Sequence, residues 1–230
     1  MIGATKWIIP IMGFRESASQ ETGVERIWRG LRSLSDHRVY VVAPYEWDER
    51  MRDLVDFIFR NSQTFPEVMV IAYSWGCGVG FTNFARAAAR IGLPIRIAVL
   101  CDPVWRSRLL PTWLPLNPLS VWPLFRPRIE IPTSVDRVEW VRQWEDFPRG
   151  HDLVAEDPER THIGLGRYVL RGHRKIDDSR EFRALAEHWA YVFVHDLDAV
   201  EAGEPEVMGL RERPMSRRQW MTLDPHPIQS

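Results

Sequence analysis

Within the first hundred residues, apolar segments switch repeatedly between two periods, and that alternation leaves few folds open. Residues 6–11, 38–43, 67–73 and 95–101 are short runs of apolar and β-branched side chains. Between them lie 21–34, with Val24, Ile27, Trp28, Leu31 and Leu34 at helical spacing, and 48–60, with Met51, Leu54, Val55 and Ile58 on one face. The Ala-rich segment 76–91 is also helical in pattern. A strand that is apolar at nearly every position is buried on both faces, as in a parallel sheet covered by helices on both sides. The pattern predicts an α/β domain, a three-layer α/β/α sandwich around a mostly parallel sheet. A chain of 230 residues is long enough for one such domain.

The rhythm breaks after Asp102. Residues 103–132 hold seven of the chain's 17 prolines together with Trp105, Trp113 and Trp122. Such a segment is neither a regular helix nor a central strand. It is too apolar for a plain linker, so 103–134 reads as a lid-like insertion packed over the sheet edge. A strand follows at 138–144, then a polar, turn-rich stretch at 146–161, and a last short strand at 168–170. Ser179 is placed to cap a final helix carrying Phe182, Leu185, Ala186, Trp189, Val192 and Phe193 on one face. The domain therefore spans 1–202, and 203–230 reads as a polar, proline-bearing tail.

Charge narrows the partners. Thirty basic and 31 acidic residues leave a formal charge of -1, so a strongly basic nucleic-acid footprint is absent. Hydrophobic residues at 45% exclude wholesale disorder. The two cysteines, Cys77 and Cys101, lie in apolar contexts and read as buried thiols of a reducing compartment. Residues 1–10 lack the basic and apolar regions of a secretory leader. The longest uncharged stretch, 109–125, contains four prolines and falls short of the roughly 20 residues of a spanning helix. A soluble, cytoplasmic protein is expected.

Chemistry concentrates at 68–80, VMVIAYSWGCGVG. A buried strand ends at Tyr73, Ser74 follows at once, and a helix opens after it. Ala72-x-Ser74-x-Gly76 is a variant of the G-x-S-x-G nucleophile elbow. A serine on so tight a turn needs small residues two positions to either side, which Ala72 and Gly76 supply. The helix start offers backbone N–H groups to a developing oxyanion. The competing role is a serine that only caps the helix.

A serine nucleophile requires a base, and the base an orienting carboxylate, in the chain order serine, acid, histidine. Asp102, at the end of the neighbouring strand, leads as the acid, with Asp146 and Asp152 as alternatives. Of seven histidines, His37 precedes an early strand, His188 and His195 fall in the final helix, and His226 lies in the tail. His151, His162 and His173 remain, and His173, between the last strand and last helix, leads. Trp75 would supply one oxyanion N–H. The other would come from the loop after the first strand, from Met12 or Phe14, with Gly13 allowing close approach of the backbone. Trp105, Trp113, Trp122 and Phe125 would either line an acyl pocket or simply roof the core.

Two other chemistries fit poorly. His151, His162 and His173 match no metal-ligand spacing, and no metal is expected. Gly76-Cys77-Gly78-Val79-Gly80 lacks the G-x-G-x-x-G spacing of a dinucleotide site, so no cofactor is expected.

In AYSWGCG at 72–78, LCDPV at 100–104 and GHRKIDDSREF at 172–182, the chain resembles the α/β-hydrolase superfamily, in particular small bacterial or phage-type lipase-like hydrolases. The resemblance runs from the strand at residue 6 to the helix ending near 199, without the usual first antiparallel strands. It implies a reduced α/β-hydrolase fold with Ser74, Asp102 and His173 as the triad. It implies a serine esterase acting on a small-molecule or lipid-like acyl substrate through an acyl-enzyme. The chain departs from the family at Ala72, where glycine is usual, and in the Pro/Trp-rich insertion that would set specificity. A non-catalytic binding protein on the same fold is the alternative.

Overall fold

The computed structural model describes residues 5–14, 16, 21–105, 128–143, 145, 148 and 150–197. Its first half follows the alternation of periods. Strand β1 (Thr5–Ile11) leads to helix α1 (Gly23–Leu31), with a 3-10 turn at Arg32–Leu34, and then to β2 (Val39–Val41). Helix α2 (Met51–Asn61), β3 (Pro66–Tyr73), α3 (Thr82–Ile91) and β4 (Ile95–Cys101) come next. Local chemistry sets the helix ends. Thr22 Oγ1 accepts from Glu25 N at 3.1 Å to cap α1, and α3 stops at Gly92, whose φ of 71° suits glycine.

The strands β1, β2, β3 and β4 join β6 (Val135–Arg142), β8 (His162–Ile163) and β9 (Arg167–Tyr168) in one seven-stranded sheet. Its order is β2-β1-β3-β4-β6-β8, with β9 also paired to β6, and every pairing among the described strands is parallel. Side chains alternate between two cores. Trp7, Ile9, Val70, Ala72 and Leu100 pack with α2 and α3, whereas Ile8, Met69, Ile71 and Val99 pack with α1 and the last helix, α5 (Arg180–Val194). The three-layer α/β/α architecture follows. The first strand is also pinned to the last helix. Lys6 Nζ, on a side chain 5% exposed, donates to Phe193 O at 2.7 Å and Val194 O at 3.0 Å and meets Asp196 Oδ1 at 2.5 Å.

The second half differs in detail from the expectation. Strand β6 begins at Val135, three residues before the apolar run at 138. A small second sheet pairs β5 (Ile129–Ile131) with β7 (Leu153–Ala155), so the end of the expected insertion and the turn-rich stretch each hold a strand. Residues 106–127, which carry most of the insertion, and the tail at 203–230 lie outside the described residues. Helix α4 (His173–Ile176) is a single turn before α5, which Ser179 caps by accepting from Phe182 N at 3.1 Å. His195 follows α5 as its C-cap rather than lying within it. No helix among the described residues is long and apolar enough to cross a membrane.

The connection from β1 leads to β2 on one side of the sheet, and that from β3 leads to β4 on the other. The loops after β1 and β3 therefore part at the carboxyl ends of the strands, the position of ligand crevices in open α/β sheets.

Candidate active site

Ser74 is the first residue beyond β3, and its φ is 52°. The left-handed region costs a non-glycine residue about 1–2 kcal/mol. Of three such residues among those described, two are Ser74 and Asp102 (φ 44°). Hydrogen bonds hold Ser74 there. Its N–H donates to Cys101 O at 2.9 Å, and its carbonyl accepts from Cys77 N, Gly78 N and Val104 N at 3.0–3.2 Å. The chain then winds through a π-type turn, Gly76–Phe81, before α3 begins. A Cβ on Gly76 would sit 2.5 Å from Met12 O and 2.7 Å from Ile11 O. A Cβ on Gly78 would run into the backbone of Val104. Two glycines thus let the loops after β1 and β4 close over the serine turn.

Asp102 follows β4 and is fully buried. Oδ1 accepts from Gly150 N at 2.9 Å and Gln143 N at 3.3 Å, and Oδ2 accepts from Gln143 Nε2 at 3.1 Å. Oδ2 also lies 2.5 Å from His173 Nδ1, and His173 Nε2 lies 2.9 Å from Ser74 Oγ. With Asp102 as acceptor, Nδ1 carries the proton and Nε2 faces the serine hydroxyl as an acceptor. Tyr73 OH donates to His173 O at 2.5 Å, and its ring lies 5.3 Å from the imidazole. Burial, then the nearby Asp177, pushes the Tyr73 hydroxyl far above its ordinary pKa, so it remains a donor.

The alternative residues lie elsewhere. His151 accepts from Trp105 N through Nδ1 at 2.9 Å, and desolvation pushes its pKa down to about 4. His162 is exposed on β8. Asp152 pairs with Arg142, while Asp146 lies outside the described residues. Among the described residues, no three His, Cys, Asp or Glu side chains group to hold a metal ion.

The loop after β1 holds Met12, a candidate oxyanion donor, and Gly13, expected to allow close approach. Met12 N donates to Tyr45 O at 2.8 Å and Gly13 N to Glu16 Oε2 at 2.6 Å, so both N–H groups are committed. Gly13 is also glycine for a different reason than ligand approach: its Cβ would fall 2.7 Å from the Tyr73 ring. The next residue, Phe14, stacks on Trp75 with ring centroids 4.0 Å apart, bringing this loop against the residue after Ser74. Trp47 meets the Trp75 ring edge-on at 5.0 Å, and Val104 completes an apolar cluster separate from the two sheet cores.

Of the expected substrate-binding residues, Trp105 is exposed, and Trp113, Trp122 and Phe125 lie outside the described residues. Gln143, Tyr73 and Trp47 were not foreseen at the site. A polar side chain ending the apolar run of β6 is the signal that marks Gln143. Nothing in sequence spacing brings Trp47 to Trp75.

No protein-family model and no curated protein matches the sequence. Among solved structures, the chain is similar to one titled "RedJ with PEG molecule bound in the active site", with 10% identity and a TM-score of 0.44. The match covers 82% of this chain and 94% of that one.

A groove of about 420 Å³, lined in part by Glu67, Arg96, Asp136 and Trp189, lies at the opposite end of the sheet. Glu67 precedes Ser74 by seven residues of extended chain, or roughly 23 Å. Arg96 there is paired with both Glu67 and Asp136. The groove is therefore separate from the serine site.

Proposed function

We propose that this chain is a serine hydrolase that cleaves a carboxylic ester, thioester or amide through an acyl-enzyme. The observation that carries the reading is the continuous line Ser74 Oγ–His173 Nε2 (2.9 Å) and His173 Nδ1–Asp102 Oδ2 (2.5 Å), beginning at a serine in the left-handed region. A hydroxyl so placed is a poor cap and a good nucleophile, because its proton has an acceptor in reach.

In this mechanism Ser74 Oγ attacks the acyl carbon while its proton passes to His173 Nε2. Asp102 holds the imidazole by Nδ1 and offsets the charge it acquires. Backbone N–H groups of Trp75 and Phe14 serve the tetrahedral oxyanion. His173 then protonates the leaving group, whose bond to the acyl carbon breaks. Water, deprotonated by His173, attacks the acyl-serine, and collapse of the second tetrahedral intermediate restores Ser74 and releases the carboxylic acid. The rings of Phe14, Trp47 and Trp75 form an apolar wall beside Ser74 and favour an apolar acyl or leaving group.

The test is labelling by a fluorophosphonate probe, read by intact mass, on the wild type and Ser74→Ala. A single adduct on the wild type, absent from the variant, is expected. A folded wild-type protein that takes no adduct, with or without detergent, would overturn the reading.

A further inference from the structure

Two carboxyl groups outside the Ser-His-Asp line face each other next to it. Glu16, on the loop after β1, hydrogen-bonds the side chain of Asp177, which closes helix α4. Each is held by a different backbone N–H. Glu16 Oε2 accepts from Gly13 N at 2.6 Å, next to Phe14. Asp177 Oδ2 accepts from Gly23 N at 2.9 Å, at the start of α1. Asp177 is 6% exposed and lies four residues after His173. Tyr73 closes the circuit, with its ring against Gly13 and its hydroxyl on His173 O.

Two carboxyls in hydrogen-bond contact need a proton between them, because both cannot be charged at that distance without strong repulsion. The N-terminal end of α1 favours the negative charge on Asp177. Glu16 then holds the proton, and a protonated carboxyl can accept from Gly13 with one oxygen and donate with the other. The surroundings supply little to neutralise a second charge. Tyr73 and Cys101, facing from β3 and β4, are buried and neutral, and Asp102 adds negative charge. Asp178 is on the Asp177 side, and of the two arginines of α1, Arg26 is ion-paired with Asp178 and feels Asp177 only weakly, while Arg29 pairs with Glu25. Desolvation first, then Asp177, pushes Glu16 up to about 8, and desolvation also raises Asp177.

We propose that Glu16 and Asp177 are positioning residues, a proton-sharing pair that clasps the oxyanion loop to the helix of His173 and releases it when the proton is lost in alkaline solution. The proposal rests on the hydrolase reading and adds a control to it: acylation of Ser74 requires the clasp closed. The Glu16→Gln variant separates proton from shape. A glutamine accepts from Gly13 and donates to Asp177 at every pH, so it keeps the clasp shut.

The experiment follows the rate of fluorophosphonate labelling from pH 6 to pH 10, beside melting temperature over the same range, for wild type and Glu16→Gln. For a single group titrating near 8, the wild-type rate should fall about tenfold from pH 7 to pH 9. The Glu16→Gln rate should not fall. The unfolded chain loses this proton above the ordinary 4.5 while the folded state keeps it up to about 8, so wild-type stability should fall as the pH rises to about 8 and level off beyond it. Glu16→Gln should lack that component of the drop. A limb of equal depth in both proteins would overturn the proposal. If the wild type takes no label at any pH, the hydrolase reading falls by itself, and the melting curves still decide the clasp: parallel curves overturn it, diverging curves support the shared proton.

Discussion

Gln143 grips Asp102 twice, with its backbone nitrogen on Oδ1 at 3.3 Å and its side-chain nitrogen on Oδ2 at 3.1 Å. The same amide also donates to Pro148 O at 2.9 Å, which fixes its orientation. Asp102 thus reaches His173 with its position set by β6 as well as β4. Replacing Gln143 by Ala removes one donor from a buried carboxylate, a loss of about 1.5 kcal/mol. If that loss falls on the aim of the imidazole, Ser74 labelling should slow by about tenfold. Labelling kinetics compared with the urea midpoint would separate aim from stability, and an unchanged rate would refute the role.

The acid itself can be tested by a trio of variants. Asp102→Asn should slow labelling by about 10³–10⁴-fold, the scale on which a wrong imidazole tautomer acts. Asp152→Asn takes the carboxylate from the buried Arg142 and should lower stability, while leaving the labelling rate of the folded protein within about twofold. Asp146→Asn should spare the rate likewise. A larger loss from Asp152→Asn or Asp146→Asn than from Asp102→Asn, in folded proteins, would move the acid elsewhere.

Backbone strain at Ser74 gives a stability prediction of unusual sign. Ser74→Ala and Ser74→Gly both lack the nucleophile, but only glycine relaxes at φ 52°. Relief of about 1–2 kcal/mol, less the entropy glycine loses on folding, leaves Ser74→Gly about 1 kcal/mol more stable than Ser74→Ala. Denaturant unfolding of the two inactive proteins measures this directly. Equal stability would mean the turn is not strained in solution.

Gly76 and Gly92 should respond differently to alanine. At Gly76 the added methyl meets Met12 O and Ile11 O, so the β1 loop must shift, with a loss of about 2 kcal/mol or more and of most labelling. At Gly92, φ is 71° and nothing lies within 4 Å, so the loss is about 1 kcal/mol and labelling should stay intact. Loss of labelling in both variants would point to general destabilisation instead.

Trp47→Ala should shorten the apolar wall without touching the Ser74–His173 line. The expected result is a lower rate on long p-nitrophenyl esters and little change on acetate. A uniform fall across chain lengths would place Trp47 outside the substrate's path.

The first hundred residues were legible because each buried strand there is a continuous apolar run and each helix has one apolar face. Strand β4 is matched at both ends, and β1 and β3 within one residue. The short strands β7 and β8 escaped because two or three half-exposed residues leave no periodic mark. Ser74, Asp102 and His173 stood out because topology restricts which strand ends share a rim. The second oxyanion donor proposed after β1 did not, since weighing Met12 against Phe14 requires knowing that Tyr45 O already binds the Met12 N–H. The clasp was equally hidden: Glu16 and Asp177 are remote in sequence and meet only when the end of α4 reaches the loop between β1 and α1.

Lys6 carries a consequence for how the chain matures. Its ammonium sits inside the first strand, and its partners are the last carbonyls of α5 and Asp196. Until those residues have been synthesised and docked, sealing β1 between β2 and β3 would strand an uncompensated cation in the interior. A ribosome-tethered chain should therefore leave β1 exchangeable with solvent until α5 emerges, so the β1 side of the sheet is completed late although its strand is made first.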